Sequence, residues 1–208
     1  MKKTGPPSVE VTCDALKTHV EDNKFVMAYF GEASDALATA HTDFAKTDEK
    51  FRFFHTTDAE CAKGFGGAAP GIVLFRKFET QQVAYTGEAT AAALKEFSKP
   101  LMIPTVFAFD DDKIEFVFDQ QQPALFLFRA EGDAESAFQK TFEEAATAHK
   151  GKILFSYSGV TDGIQERLAE FIGVTAADLP TLRALLPEGM KKFQSPTAAA
   201  DLTVENIG

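Results

Sequence analysis

At 208 residues the chain has room for one large domain or for two compact ones of about 100 residues each. Apolar residues at 45% suffice for real cores, and 25% charged residues exclude a disordered chain. A net charge of −10 with no basic stripe excludes a nucleic-acid surface, and no apolar run approaches the ~20 residues that would span a bilayer.

The charge is uneven, −2 over residues 1–99 and −8 over residues 100–208. The apolar share is also unusual in kind, with 21 Phe, 3 Tyr and no Trp. Phe brings large apolar area without a polar tip, so it suits a core or a greasy groove. The opening Met1-Lys2-Lys3 runs into Thr4-Gly5-Pro6-Pro7 rather than an apolar stretch, which is not a signal peptide; taken alone, that start reads as cytosolic.

In chain order, a short strand is predicted over Val9–Cys13, and Asp14 then caps a short helix running to His19. Lys24–Phe30 is an apolar run of strand length, suited to a position buried on both faces. A helix starts at Ser34 or Asp35 and sets Leu37, Ala40, His41 and Phe44 on one face. Phe51–Thr57 is a third strand and Asp58–Gly64 a helical turn. Strands Ile72–Phe78 and Gln82–Thr86 follow Pro70, and a helix over Thr90–Phe97 closes the half. The order is β-α-β-α-β-α-β-β-α, in which helices cover both faces of a mixed sheet.

The second half repeats that order. Its strands fall at Thr105–Phe109, Pro123–Phe128, Lys152–Tyr157, Thr181–Leu186 and Met190–Phe193. Its helices fall at Lys113–Phe118, Ala134–His149 and Asp162–Phe171, with a last one opening at Asp201–Ile207. Pro70 and Pro180 each precede an apolar strand at the same place in their halves. The boundary is set near Ser98-Lys99-Pro100, where proline ends a helix.

Cys13 and Cys61 are the chain's two cysteines, and their spacing fits neither a metal motif nor Cys-x-x-Cys. Two buried thiols without catalytic consequence are the favoured reading, because free Cys packs as a small hydrophobe. A disulfide between them is left open.

With this architecture, the chain resembles the second and third thioredoxin-like domains (b and b′) of protein disulfide isomerases. The stretches that carry the resemblance are Lys150–Phe155, Arg167–Gly173 and Leu179–Arg183, with Gly71–Phe78 and Tyr85–Glu88 as their first-half counterparts. The resemblance covers essentially the whole chain. It implies an α/β chain of two tandem thioredoxin-like domains, each a mixed central sheet flanked by helices. Residues 1–7 would be linker, 8–99 the b domain and 100–208 the b′ domain. The opening residues are similar to the tail of a preceding catalytic domain, so the chain is expected to be the middle of a longer protein of the endoplasmic reticulum lumen.

In that family the dithiol sits at the N-terminus of the second helix, where the helix dipole lowers a thiol pKa. Here those turns are Phe30–Ser34 and Phe128–Asp133, and neither contains sulfur. The resemblance therefore implies a non-enzymatic segment without cofactor or metal. Pro70 and Pro180 are expected as cis-proline relics. It also implies a hydrophobic groove for unfolded or misfolded polypeptide between the first and third helices of the second half. Its residues would be Phe109, Ile114, Phe118, Leu168, Phe171, Ile172 and Met190. Ile114 stands where a smaller residue is usual and Ile172 where an aromatic is usual, and the loop before Met190 is one residue short. From periodicity alone, Leu168, Phe171 and Ile172 read as core. The expected partners are such polypeptides and the neighbouring catalytic domains.

Other features are weaker. Asp110-Asp111-Asp112 with Glu115 lacks the spaced ligands of a calcium loop and reads as a solvated acidic cap. His19, His41, His55 and His149 show no mutual metal spacing, and Gly66-Gly67 lacks the Lys-Ser/Thr of a phosphate loop. Two rival readings remain: a calsequestrin-like acidic calcium-binding protein, and a redox enzyme using Cys13 and Cys61.

Overall fold

The computed structural model describes residues 5–118, 122–134, 136–196, 201 and 203. The chain divides into two compact units, Met1–Pro104 and Thr105–Gly208.

The first unit runs β1 (Val9–Glu10), α1 (Cys13–Asp22), β2 (Phe25–Phe30), α2 (Ala36–Thr47), β3 (Arg52–Thr56), α3 (Ala59–Gly64), β4 (Gly71–Arg76), β5 (Gln82–Ala84) and α4 (Ala91–Ser98). A 3-10 turn, Lys99–Leu101, continues α4. The sheet order is β1-β3-β2-β4-β5, with β1 and β2 parallel to β3, and β4 antiparallel to both β2 and β5.

All six residues of β2 are buried, as a central strand covered on both faces requires. Phe25, Met27 and Tyr29 face Phe44 and Ala45 of α2 and Leu94 of α4. Val26, Ala28 and Phe30 face Leu16 of α1 and Cys61 and Ala62 of α3. Each buried Phe is worth about 1.5–3 kcal/mol of transfer free energy, so these two apolar layers dominate the unit's stability. Arg76 is buried at the end of β4, bonding the Thr80 and Leu101 carbonyls and pairing with Glu79.

The second unit runs β6 (Val106–Ala108), α5 (Ile114–Phe118), β7 (Ala124–Phe128), α6 (Ala137–Ala148), β8 (Leu154–Ser158), α7 (Gly163–Ile172), β9 (Thr181–Leu186) and β10 (Lys191–Gln194). Its sheet order, β10-β9-β7-β8-β6, repeats that of the first unit, with the same parallel and antiparallel pairs. Leu127, Phe155 and Leu182 pack on Phe142, Ala145 and Ala146 of α6. On the other face Phe107 meets Phe116, and Phe109 meets Phe126, each ring edge to face. The Ala69–Pro70 and Leu179–Pro180 peptide bonds are both cis.

Three sequence expectations need correction. The first strand ends at Glu10, because Thr12 rather than Asp14 caps α1, its hydroxyl accepting from Ala15 N–H. That change moves Cys13 from a strand to the first residue of a helix, and Asp14 becomes a first-turn acid that suits the helix dipole. The helix expected from Ala134 starts at Ala137, since Ser136 caps it and a 3-10 turn, Glu131–Asp133, precedes it. Finally, the two cysteines are not free thiols. They form a disulfide, with Cα atoms 5.6 Å apart, between the start of α1 and the middle of α3. The helix expected over Asp201–Ile207 lies outside the described residues, apart from Asp201 and Thr203.

Candidate functional site

The resemblance directs attention to two places in the repeat: the turn before the second helix, and the space between the first and third helices. In the first unit that turn is Gly31–Asp35. Gly31 has φ +142°, and an added Cβ would lie 2.4 Å from the Tyr29 hydroxyl, so glycine is required there. The Tyr29 hydroxyl donates to Asp35 Oδ2 at 2.6 Å; burial first, and then that carboxylate, raise its pKa. Behind it His41 is buried, its Nε2–H donating to the Met27 carbonyl at 3.1 Å. Desolvation pushes its pKa down to about 4, so the ring is neutral near pH 7. A cavity of about 360 Å³ opens beside these groups, with His55 and Gly31 also on its wall.

In the second unit the turn after β7 is occupied by Arg129. Its guanidinium stacks 4.6 Å over Tyr157, Nε–H donates to Gln139 Oε1 at 2.8 Å, and a cavity of about 460 Å³ lies alongside. These groups position charge and hydroxyls, but neither turn carries a sulfur or another nucleophile activated by a base.

The groove expected in the second unit would lie along α5, α7 and the β9–β10 connection. Of the seven residues expected to line a groove, Phe109, Leu168 and Ile172 are buried at 1%, 3% and 8% exposure. Ile114 opens α5 and Phe118 closes it, both half-buried. Phe171, in the last turn of α7, is 39% exposed and meets the Phe118 ring edge-on, with centroids 6.2 Å apart. Met190 is 41% exposed, at the left-handed turn where Gly189 (φ +72°) and Met190 (φ +50°) reverse the chain between β9 and β10. The structure thus joins Phe118 and Phe171 directly and leaves Phe171 and Met190 open to solvent.

Two further residues shape this cleft that the sequence reading did not single out. Gln165 braces α7 against the end of β6, donating from Nε2 to the Phe109 carbonyl and accepting from Gly159 N–H at 2.9 Å. A Cβ on Gly159 would approach Gln165 Oε1 to 2.7 Å, so the brace depends on that glycine. Lys192 reaches from β10 to α7. Its ammonium donates to the Phe171 carbonyl, an orphan acceptor in the helix's last turn, and lies 3.8 Å from the Phe171 ring centroid. The only signal for Gln165 was its polarity within an apolar helix face. Lys192 offered none, because its target is a backbone atom 21 positions away.

The acidic run is solvated as expected, with Asp111 and Asp112 exposed, but Asp110 makes no side-chain capping bond and pairs with Lys113 at 3.0 Å instead. Among the described residues no three His, Cys, Asp or Glu are placed to hold a metal ion, and no helix is long and apolar enough to cross a membrane.

Known proteins share this arrangement. A protein disulfide-isomerase of Drosophila melanogaster is 26% identical over 99% of this chain and 42% of its own length. One from Oryctolagus cuniculus is 27% identical over 99% of this chain and 41% of its own length. The chain therefore spans about two fifths of the length of the curated relatives it matches. Among solved structures, the bb fragment of ERp72 superposes with a TM-score of 0.66 at 17% identity, covering 98% of this chain and 94% of that one. The zinc-bound form of human ERp44 gives 0.59 at 17% identity, covering 95% of this chain and 54% of that one. The model of a thioredoxin-like domain family matches residues 30–208. With two five-stranded mixed sheets of one topology and a match to protein disulfide-isomerases over 99% of its length, the chain belongs to the thioredoxin-like domain family.

Proposed function

We propose that this chain is the non-catalytic central region of a protein disulfide isomerase of the endoplasmic reticulum lumen. It binds unfolded or misfolded polypeptide in the second unit and spaces catalytic domains on either side. The observation that carries the reading is the Phe118–Phe171 pair. One of its rings is 39% exposed, on a helix whose Leu168 and Ile172 are buried.

Large apolar side chains left half in water are ready to bury area against a ligand. An unfolded chain offers aromatic and aliphatic groups in no fixed order, and a cleft of Phe, Ile and Met accepts them by area rather than by hydrogen-bond geometry. Each buried side chain contributes about 1.5–3 kcal/mol. Two or three of them, less association and ordering costs, leave roughly micromolar to millimolar affinity. Such binding is weak and fast, as handing a client to a neighbouring active site requires.

The test is calorimetric titration of the chain with a Phe/Leu-rich unfolded peptide, alongside Phe118→Ala and Phe171→Ala. Both variants are expected to bind at least tenfold more weakly while unfolding within about 1 kcal/mol of the parent, since both positions are partly solvated. Binding unchanged in both variants would refute the assignment.

A further inference from the structure

The disulfide crosses a place in the fold that its chemistry alone does not explain. Cys13 is the first residue of α1 and Cys61 lies inside α3, so the bond ties together the two helices that form one face layer of the first unit. Leu16 of α1 packs with Phe30, Phe54 and Phe75 of the sheet beneath the layer, all buried. The two sulfurs are not equivalent: Cys61 is 3% exposed, whereas Cys13 is half-buried at the helix end. An attacking thiolate therefore meets Cys13 first, and which sulfur is accessible governs exchange.

The layer is fastened again at its far end. Lys77, just past β4, donates from Nζ to the Val20 and Glu21 carbonyls in the last turn of α1, each at 2.7 Å. Asn23 closes the same turn on the His19 carbonyl. Asp58 caps α3 through the Glu60 and Cys61 amides. With the disulfide open, α1 stays hinged at its C-terminal end and α3 keeps its cap. Only the joint between the two helices is lost.

We propose that Cys13–Cys61 is an exchangeable redox clasp, a site of thiol–disulfide exchange for a dithiol that opens the α1/α3 layer without unfolding the sheet. A thiolate of the dithiol attacks Cys13 Sγ, forming a mixed disulfide and expelling Cys61 as a thiolate, which takes up a proton. The second thiol of the dithiol then attacks its own sulfur in the mixed disulfide and releases Cys13, which is protonated in turn. Two electrons and two protons pass to the clasp, and the dithiol leaves as a disulfide. Opening exposes part of the apolar layer in the first unit, so the redox state of a partner dithiol sets how much greasy surface that unit presents.

The experiment treats the whole chain with dithiothreitol under native conditions. Alkylation counts free thiols by mass, and amide exchange is followed residue by residue. The expected result is two alkylated thiols with exchange across 13–22 and 59–64 at least tenfold faster than across β2, β3 and β4, which stay the more protected segments even as the unit loses overall stability. Cys13 in the Cys61→Ser variant is expected to label at least tenfold faster than Cys61 in the Cys13→Ser variant. A disulfide that resists dithiothreitol while the chain stays folded would overturn the proposal. So would reduction that leaves α1 exchange unchanged, and so would three strands that exchange as fast as the two helices, which marks a plain structural staple.

Discussion

The two units repeat one topology, yet they close the space between first and third helix by different means. In the first, a covalent bond joins α1 to α3 over fully buried Leu16 and Phe30. In the second, the helices α5 and α7 meet through the edge of one Phe ring on the face of another, and Phe171 stays 39% exposed. The helix lengths follow suit, ten residues in α1 and five in α5. The lesson is that one scaffold joins its first and third helices by a covalent bond in one copy and by a half-exposed aromatic pair in the other. Among the described residues the first unit leaves Val9 as its one exposed large hydrophobic, whereas the second leaves Phe171, Met190 and Phe193 in water.

The largest effect expected from breaking this contrast is on the clasp. Replacing both cysteines by Ser removes a cross-link between positions 48 apart, a loop worth about 4 kcal/mol in the chain-entropy account. Urea unfolding should show that loss in the first unit and none in the second. Equal losses in both units would mean that they do not fold as the separate bodies described here.

A second effect separates the units by pH. The folded pKa of His41 is about 4, below the ordinary 6.5, so between those values the unfolded chain binds more protons than the folded one. The stability this buried neutral ring contributes is present above pH 6.5 and is lost as pH falls toward 4, by about 3 kcal/mol. The first unit's urea midpoint should therefore drop over that range in the parent and drop less in His41→Gln. The same slope in both proteins would assign the acid sensitivity to carboxylates instead.

A smaller effect concerns the rim of the open cleft. Lys192→Ala removes a helix-end cation and a cation–π contact, both at an exposed site, and should destabilise the second unit by roughly 0.5–1 kcal/mol. Peptide contact at Phe171 should rise in that variant, because the ammonium no longer covers the ring. A titration showing weaker binding would instead make Lys192 part of the client surface.

Much of this fold was legible because the strands are unambiguous. Phe25–Phe30 is continuous apolar sequence and is buried throughout, and the α2 face carrying His41 and Phe44 obeys helical spacing. Caps were harder. Choosing Asp14 as the cap where Thr12 serves left Cys13 on a strand, and the pairing of Cys13 with Cys61 stayed open because two cysteines 48 positions apart carry no spacing signal. At the cleft, periodicity correctly marked Leu168 and Ile172 as inward-facing. It marked Phe171, on the same stripe, as core as well, although the helix expected over Asp162–Phe171 already put that residue at its end, where cover runs out. The Lys192 contact was illegible for a different reason, since a lysine's long stem reaches a backbone carbonyl that no residue pattern encodes.

The most direct test is an NMR titration of the whole oxidised chain with the Phe/Leu-rich peptide, mapping shifts onto both units at once. The account predicts shifts confined to residues near 109–118, 164–172 and 186–193, with none across 13–22 and 59–64. Shifts in the clasped unit, or none anywhere at millimolar peptide, would contradict it.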